Sequence, residues 1–179
     1  MRSVAPRAFI VLLFVLLVDA LSKIFIEVNI PPTSSYILDY PYGGIPVFKD
    51  FFGVEFSIVH VINKGAAWGA FPHYQQELLY VRLALVAALF AYLLFALKTP
   101  GAEIPLALVI AGALGNVIDT FLYGHVIDML HFILWGYDFP SFNIADSAIC
   151  LGVVWLAFAS WRIVPANAAN GKKSAKSKV

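Results

Sequence analysis

Four apolar runs, Ala8 to Ile26, Tyr80 to Leu97, Ile104 to Tyr123 and Ala145 to Val164, constrain this chain before any motif is considered. Each is close to the roughly 20 residues that a helix needs to cross a hydrocarbon layer. Only 13% of residues are charged and 61% are hydrophobic, against roughly 25% charged in soluble domains, so the runs read as membrane spans rather than as core helices. The expected fold is an all-α membrane protein with four transmembrane helices, at about 8–26, 80–97, 104–123 and 145–164. Between the first two helices, residues 27–77 turn to Pro, Gly, Tyr and scattered charge. Within that loop Val54, Phe56, Ile58, His60 and Ile62 alternate with Glu55, Ser57, Val59 and Val61, a period of two that predicts a small β-like subdomain.

Charge sets the orientation. Arg2, Arg7, Lys98, Arg162, Lys172, Lys173, Lys176 and Lys178 fall on one side of the predicted spans, against Lys49 and Lys64 in the long loop on the other. By the positive-inside bias both termini are cytoplasmic and residues 27–77 lie outside. Residues 165–179 form an Ala-, Asn- and Lys-rich tail that is expected to be disordered. A cleaved signal peptide is the competing reading of the first run, but Asp19 and Lys23 interrupt it and no small-x-small cleavage site follows. Net charge +1, with no broad basic face, gives no case for nucleic acid as partner. The single cysteine, Cys150, excludes an intramolecular disulfide.

Within this apolar sequence Asp19, Lys23, Asn116, Asp119, Asp128, Asn143 and Asp146 stand out, because a charge at the bilayer centre costs at least about 2.5–3.5 kcal/mol. Asp19 and Lys23 are four apart and share a helix face, yet a solvated pair of that kind contributes only about 0.3–0.5 kcal/mol. Structural support competes here with a site role, and Lys23 is also placed to snorkel toward the outer surface. Arg82, near the outer end of the second run, reads as another snorkelling residue. Asp119 lies about 22 Å along the third helix from its cytoplasmic end, while Asp128 and Asp146 share the outer boundary. Asp119 and Asp128, nine apart, would face opposite ways on a continuous helix and cannot pair unless it breaks. Two carboxylates at one depth suggest acid–base chemistry, since neighbouring like charges leave a shared proton. The alternative is that each aspartate caps a helix.

Asp19 with Lys23, Asn63-Lys64-Gly65-Ala66-Ala67-Trp68-Gly69, Gly112 to Asp119, Gly124 to Asp128 and Phe142 to Ile149 together resemble the ordered motif set of the lipoprotein signal peptidases, or signal peptidase II. The resemblance implies a four-helix enzyme of the bacterial inner membrane, an aspartyl endopeptidase whose active site lies at the outer face. Its substrates would be diacylglyceryl-modified prolipoproteins cut before the lipidated cysteine, held among membrane lipids, and globomycin-type peptides would occupy the same groove. By motif, Asp128 and Asp146 would be catalytic, with Asp19, Lys23, Asn63, Gly65, Asn116, Asp119 and Asn143 in support. No cofactor or metal is implied, and no HExxH helix is present.

Departures accompany the resemblance. Thr120 stands where the family usually has arginine, which removes the usual cation beside Asp119 and makes Lys23 its candidate replacement. Ala111 replaces a glycine and Met129 an aromatic residue. Residues 30–46 look like an insertion of unassigned role. Two other classes compete: a small transporter or assembly scaffold, which would need its polar groups nearer the midplane, and a cysteine protease built on Cys150 with His125 or His131.

Overall fold

The computed structural model describes residues 6–33, 43–64, 70–71, 73–97, 99 and 101–159. Gly65 with the turn that follows it, most of the expected insertion, and the basic tail lie outside the described residues. Helix α1 (Pro6–Asn29) opens on a proline, which is tolerated where a helix leaves its first N–H groups unbonded. Its buried residues, Ala8, Leu12, Val15, Asp19, Lys23 and Ile26, recur every three or four positions and form one seam. Ile10, Leu13, Phe14, Leu17 and Leu21 stay exposed on the remaining surface, as a helix solvated by hydrocarbon requires.

Helix α2 (Gln75–Ala91) runs through a π-helical turn to Ala96, and helix α3 (Glu103–Tyr123) follows. Helix α3 ends at Gly124, whose φ of 75° is the left-handed stop that glycine adopts without a Cβ clash. A further apolar helix, α4, spans Ile144–Ala159. Among the described residues, three helices are long and apolar enough to cross a membrane: Pro6–Asn29, Gln75–Ala96 and Glu103–Tyr123. They extend beyond the predicted runs, so α1 takes in Glu27 to Asn29, and Gln75 to Glu77 belong to α2 rather than to the loop.

An all-α description is too narrow. Strands β1 (Ile45–Phe51), β2 (Val54–Asn63), β3 (Val126–Leu134) and β4 (Tyr137–Phe142) form one antiparallel sheet in that order. Only β2 is foreshadowed by alternation. Two-residue turns at Phe52-Gly53 and Trp135-Gly136, all with positive φ, close the two hairpins, the backbone twist that tight hairpins favour. In β2 the pairing shifts from Ile58↔Leu130 to Val61↔Asp128, so Val59 and His60 together oppose one residue of β3. This bulge reverses the alternation, which is why Val59 and His60 are both buried. Ile127 and Met129 of β3 pack with Ile26 and Ile30, joining the sheet to the end of α1.

Helix α3 holds the bundle together through small residues. A Cβ added at Gly112 would stand 2.2 Å from the Ala145 carbonyl oxygen, and one at Gly152 would stand 2.6 Å from that of Pro105. Backbones therefore approach here as closely as glycine allows, the packing on which helices in lipid depend. At Gly115 the added Cβ would meet Asp19 Oδ2 at 2.6 Å, so that glycine makes room for a carboxylate instead.

Candidate active site

Breaking the helix at Gly124 moves Asp128 off α3 and onto β3, where Val61 is its partner in register. The reading that put Asp119 and Asp128 on opposite helix faces therefore gives way to two different elements. Asp128 is buried; its Oδ2 accepts from Asn63 Nδ2 at 3.0 Å and its Oδ1 from Asn143 Nδ2 at 2.9 Å. Asn143 caps α4. Its Oδ1 accepts the Asp146 N–H at 2.8 Å, and Asp146 Oδ2 reaches back to the Asn143 N–H at 3.4 Å, a reciprocal capping box. Asp146 thus stands in the first turn of α4, which meets the helix-cap alternative for Asp146 but not for Asp128 on β3, and it also presents its other oxygen, which accepts from Asn116 Nδ2 at 2.8 Å. The Asn143 side chain thus meets the carboxylate of Asp128 and the backbone N–H of Asp146.

Asn116 is oriented by a cation behind it. Its Oδ1 accepts from Lys23 Nζ at 3.1 Å, which turns its amide nitrogen to Asp146. Lys23 does not snorkel; it is 1% exposed, with Nζ 2.7 Å from Asp19 Oδ2 and 2.7 Å from Asp119 Oδ2. Two carboxyl groups share one ammonium in a dry setting. The start of α4 adds a further donor, since Asp19 Oδ1 accepts the Ala145 N–H at 2.9 Å where the helix dipole is positive. Asp119 Oδ2 also accepts the Ile127 N–H at 3.4 Å, which ties α3 to β3 one residue before Asp128. Thr120, in the position after Asp119, donates its hydroxyl to the Asn116 carbonyl at 3.0 Å, so the cation beside Asp119 comes from α1.

These groups meet at a cleft of about 730 Å³ lined by Asn63, Arg82, Asn116, Asp128 and Asp146 and otherwise mainly by apolar side chains, among them Val126, Phe139, Phe142, Ile149 and Leu151. Burial, together with the negative charge of Asp146, pushes the Asp128 pKa up to about 7, against the donors Asn63 and Asn143 and the Lys23 charge, which pull it down. Arg82, about two turns into α2, also lines this cleft, a role that its reading as a snorkelling residue does not include. Asp19, Lys23 and Asp119 stand behind the cleft and do not line it. His131 bonds Ser57 and Asp138, away from Cys150, and His125 is also absent from the cleft wall, so no cysteine–histidine pair forms among the described residues.

Residues 11–162 match the family model described as Signal peptidase (SPase) II. The chain belongs to the signal peptidase II family. Among its relatives, the lipoprotein signal peptidase of Burkholderia multivorans is 39% identical over 156 residues, covering 85% of this chain and 86% of that one. The lipoprotein signal peptidase of Chlamydia pneumoniae is 42% identical over 106 residues, 58% of this chain and 63% of that one. A solved structure of a bacterial membrane enzyme determined in meso at 2.3 Å superposes with a TM-score of 0.75 at 27% identity, covering 88% of this chain and 89% of the other. A second, at 1.9 Å, gives 0.71 at 28% identity, covering 87% and 92%. Membership and the apolar helices together make this signal peptidase II chain a protease of lipoprotein processing and a multi-pass protein of the bacterial inner membrane.

Proposed function

We propose that the chain is an aspartyl endopeptidase that removes the signal peptide from diacylglyceryl-modified prolipoproteins by hydrolysing the bond before the lipidated cysteine. The observation that carries this reading is Asn143, whose side chain donates to the Asp128 carboxylate and accepts the Asp146 backbone N–H, and whose own N–H meets the Asp146 carboxylate, so that both aspartates are tied to one residue at the cleft. The two differ in surroundings. Asp146 takes donors from Asn116, itself bonded by Lys23, and from the Asn143 backbone N–H at the start of α4. Asp128, with a pKa of about 7, retains its proton near neutral pH. In this mechanism Asp146 takes a proton from water as the oxygen attacks the scissile carbonyl, and Asp128 gives its proton to the carbonyl oxygen. Collapse of the gem-diol breaks the C–N bond as Asp128 takes back a proton from one of its hydroxyl groups, and the proton held by Asp146 passes to the leaving amine. Asn63, Asn116 and Asn143 orient the pair; Asp19, Lys23 and Asp119 hold the frame behind it, and Gly65, by its place in the Asn63–Gly69 motif, helps hold the substrate.

In this reading residues 1–164 form one polytopic peptidase domain with four crossings, α4 being the last, and 165–179 a basic cytoplasmic tail. Both termini are cytoplasmic and the aspartates lie at the outer interface. The apolar wall of the cleft suits acyl chains, and each buried methylene adds about 0.8 kcal/mol to anchoring. Two chains on the substrate cysteine then fix the scissile bond at carboxylate height, where positioning acts on rate more than on affinity. Matched peptides with a diacylglyceryl cysteine and with a free thiol test this in micelles. The lipidated form should be cleaved with far higher kcat/KM, leaving the modified cysteine at the new N-terminus; equal values would refute lipid positioning. Globomycin-type peptides should compete with the lipidated substrate.

A further inference from the structure

Outside the cleft, a second set of chemically active side chains converges. Glu27 lies one turn beyond Lys23 on α1, His60 is in the β2 bulge, and His125 follows the Gly124 cap. Their ligand-capable atoms all lie within 4.8 Å of one another. His60 is fully buried, and its Nδ1 is 2.8 Å from the Ile30 carbonyl oxygen. A carbonyl only accepts, so Nδ1 carries a proton, and Nε2 is the ring nitrogen turned toward the cluster and left to ligate. That Nε2 faces Glu27 Oε2 at 3.3 Å, and neither it nor the buried His125 Nε2 has a hydrogen-bond partner among the described residues. The Tyr123 backbone hydrogen-bonds the His125 ring, while burial holds the His125 pKa below its ordinary value, with His60 and Lys64 acting the same way and Glu27 opposing.

Three electron-pair donors facing one another call for a cation between them. A single proton can join only two of them; a metal ion can satisfy all three. The 3.3 Å between His60 and Glu27 equals the edge of a tetrahedron with bonds of about 2.0–2.1 Å, and rotation of the exposed Glu27 and of the His125 ring closes the wider separations. Two imidazoles and one carboxylate suit zinc and its neighbours rather than calcium or magnesium, and a backbone carbonyl on the far nitrogen of His60 is the usual partner of a ligating histidine. We propose that Glu27, His60 and His125 bind a divalent transition-metal ion of the zinc type, with a fourth position left for water. The ion would clamp the end of α1 to the β2 bulge and to the start of β3. His60 and His125 each stand three residues before a cleft residue, Asn63 and Asp128, so the clamp braces the frame of the aspartate site without entering it.

The full-length protein in detergent, stripped of metal with a chelator and dialysed, provides the test by calorimetric titration with Zn²⁺ and thermal unfolding. Saturation at one equivalent is expected, with a melting temperature that rises with Zn²⁺ concentration, and Co²⁺ should give the visible absorption of a tetrahedral N/O site. Glu27→Gln and His125→Asn should each weaken Zn²⁺ binding by at least about 100-fold, since even a lost outer partner costs about 10–100-fold. Because Glu27 is exposed, Glu27→Gln decides the matter if a histidine variant fails to fold. No saturable binding, or unchanged binding in Glu27→Gln, would overturn the proposal.

Discussion

Asp128 is the residue whose chemistry the surroundings alter most visibly. Its pKa of about 7, against an ordinary value of 3.8, means that the native state holds a proton that the unfolded chain has lost between those two pH values. Stability should therefore fall as pH rises through that window, and Asp128→Asn should remove this slope. For activity the same proton is the acid, so kcat should decline above an apparent pKa near 7. Asn63 pulls that pKa down, so Asn63→Ala should move the alkaline limb to higher pH; a limb that stays put would deny the contact a role. Lys23 gives a prediction for stability. Lys23→Met leaves buried Asp19 and Asp119 without their cation and should cost about 3–5 kcal/mol, whereas Asp119→Asn still leaves Lys23 paired with Asp19 and should cost less. Unfolding of the single and double variants in detergent measures the coupling, and strict additivity would show that the two side chains do not interact. The Asp19–Lys23 pair is legible in the sequence because four residues make one helical turn. Its link to Asp119 is not, since only the packing of α1 on α3 decides whether an ammonium group reaches a carboxylate so distant in sequence.

At the scale of elements, α3 is the part on which positioning depends. Gly112→Ala and Gly115→Ala insert a methyl group against the Ala145 carbonyl and against Asp19, and each should destabilise by about 1–3 kcal/mol. Both should also lower kcat, because Ala145 adjoins the turn that carries Asp146. A thermal melt and an activity assay on the same preparation check this, with Ile118→Ala, on an exposed part of α3, as the comparison expected to stay near wild type. The spans are legible because apolar runs of that length have few other uses. The sheet is mostly not. Residues of β3, Val126 to Leu134, mix Asp128 and His131 with apolar neighbours on both faces, so no period of two emerges, and the bulge in β2 breaks the one that does. The capping box was half visible: Asp146 could be placed at a helix start, but its partner could only be named by resemblance.

In the whole molecule, a lipid-solvated bundle is joined to a sheet that forms one wall of the cleft. Helix α2 has no buried residue, so its stability must come from lipid and from few neighbours. The Lys/Arg bias sets direction: in a Cys150→Ser background, Phe52→Cys at the β1–β2 turn should react with an impermeant thiol reagent on intact cells, and Thr99→Cys between α2 and α3 only after the cells are opened. The reverse pattern would invert the topology and place the cleft on the wrong face. The central claim is that Asp128 and Asp146 act as one acid–base unit on a lipidated prolipoprotein. Its most direct test is single-turnover cleavage of that substrate by wild type, Asp128→Asn, Asp146→Asn and the double variant, each shown by thermal melt to be folded. The account predicts that each single variant loses at least about 10²–10⁴-fold in rate and that the double variant loses little more than either alone. Near-wild-type cleavage by either folded single variant would contradict it.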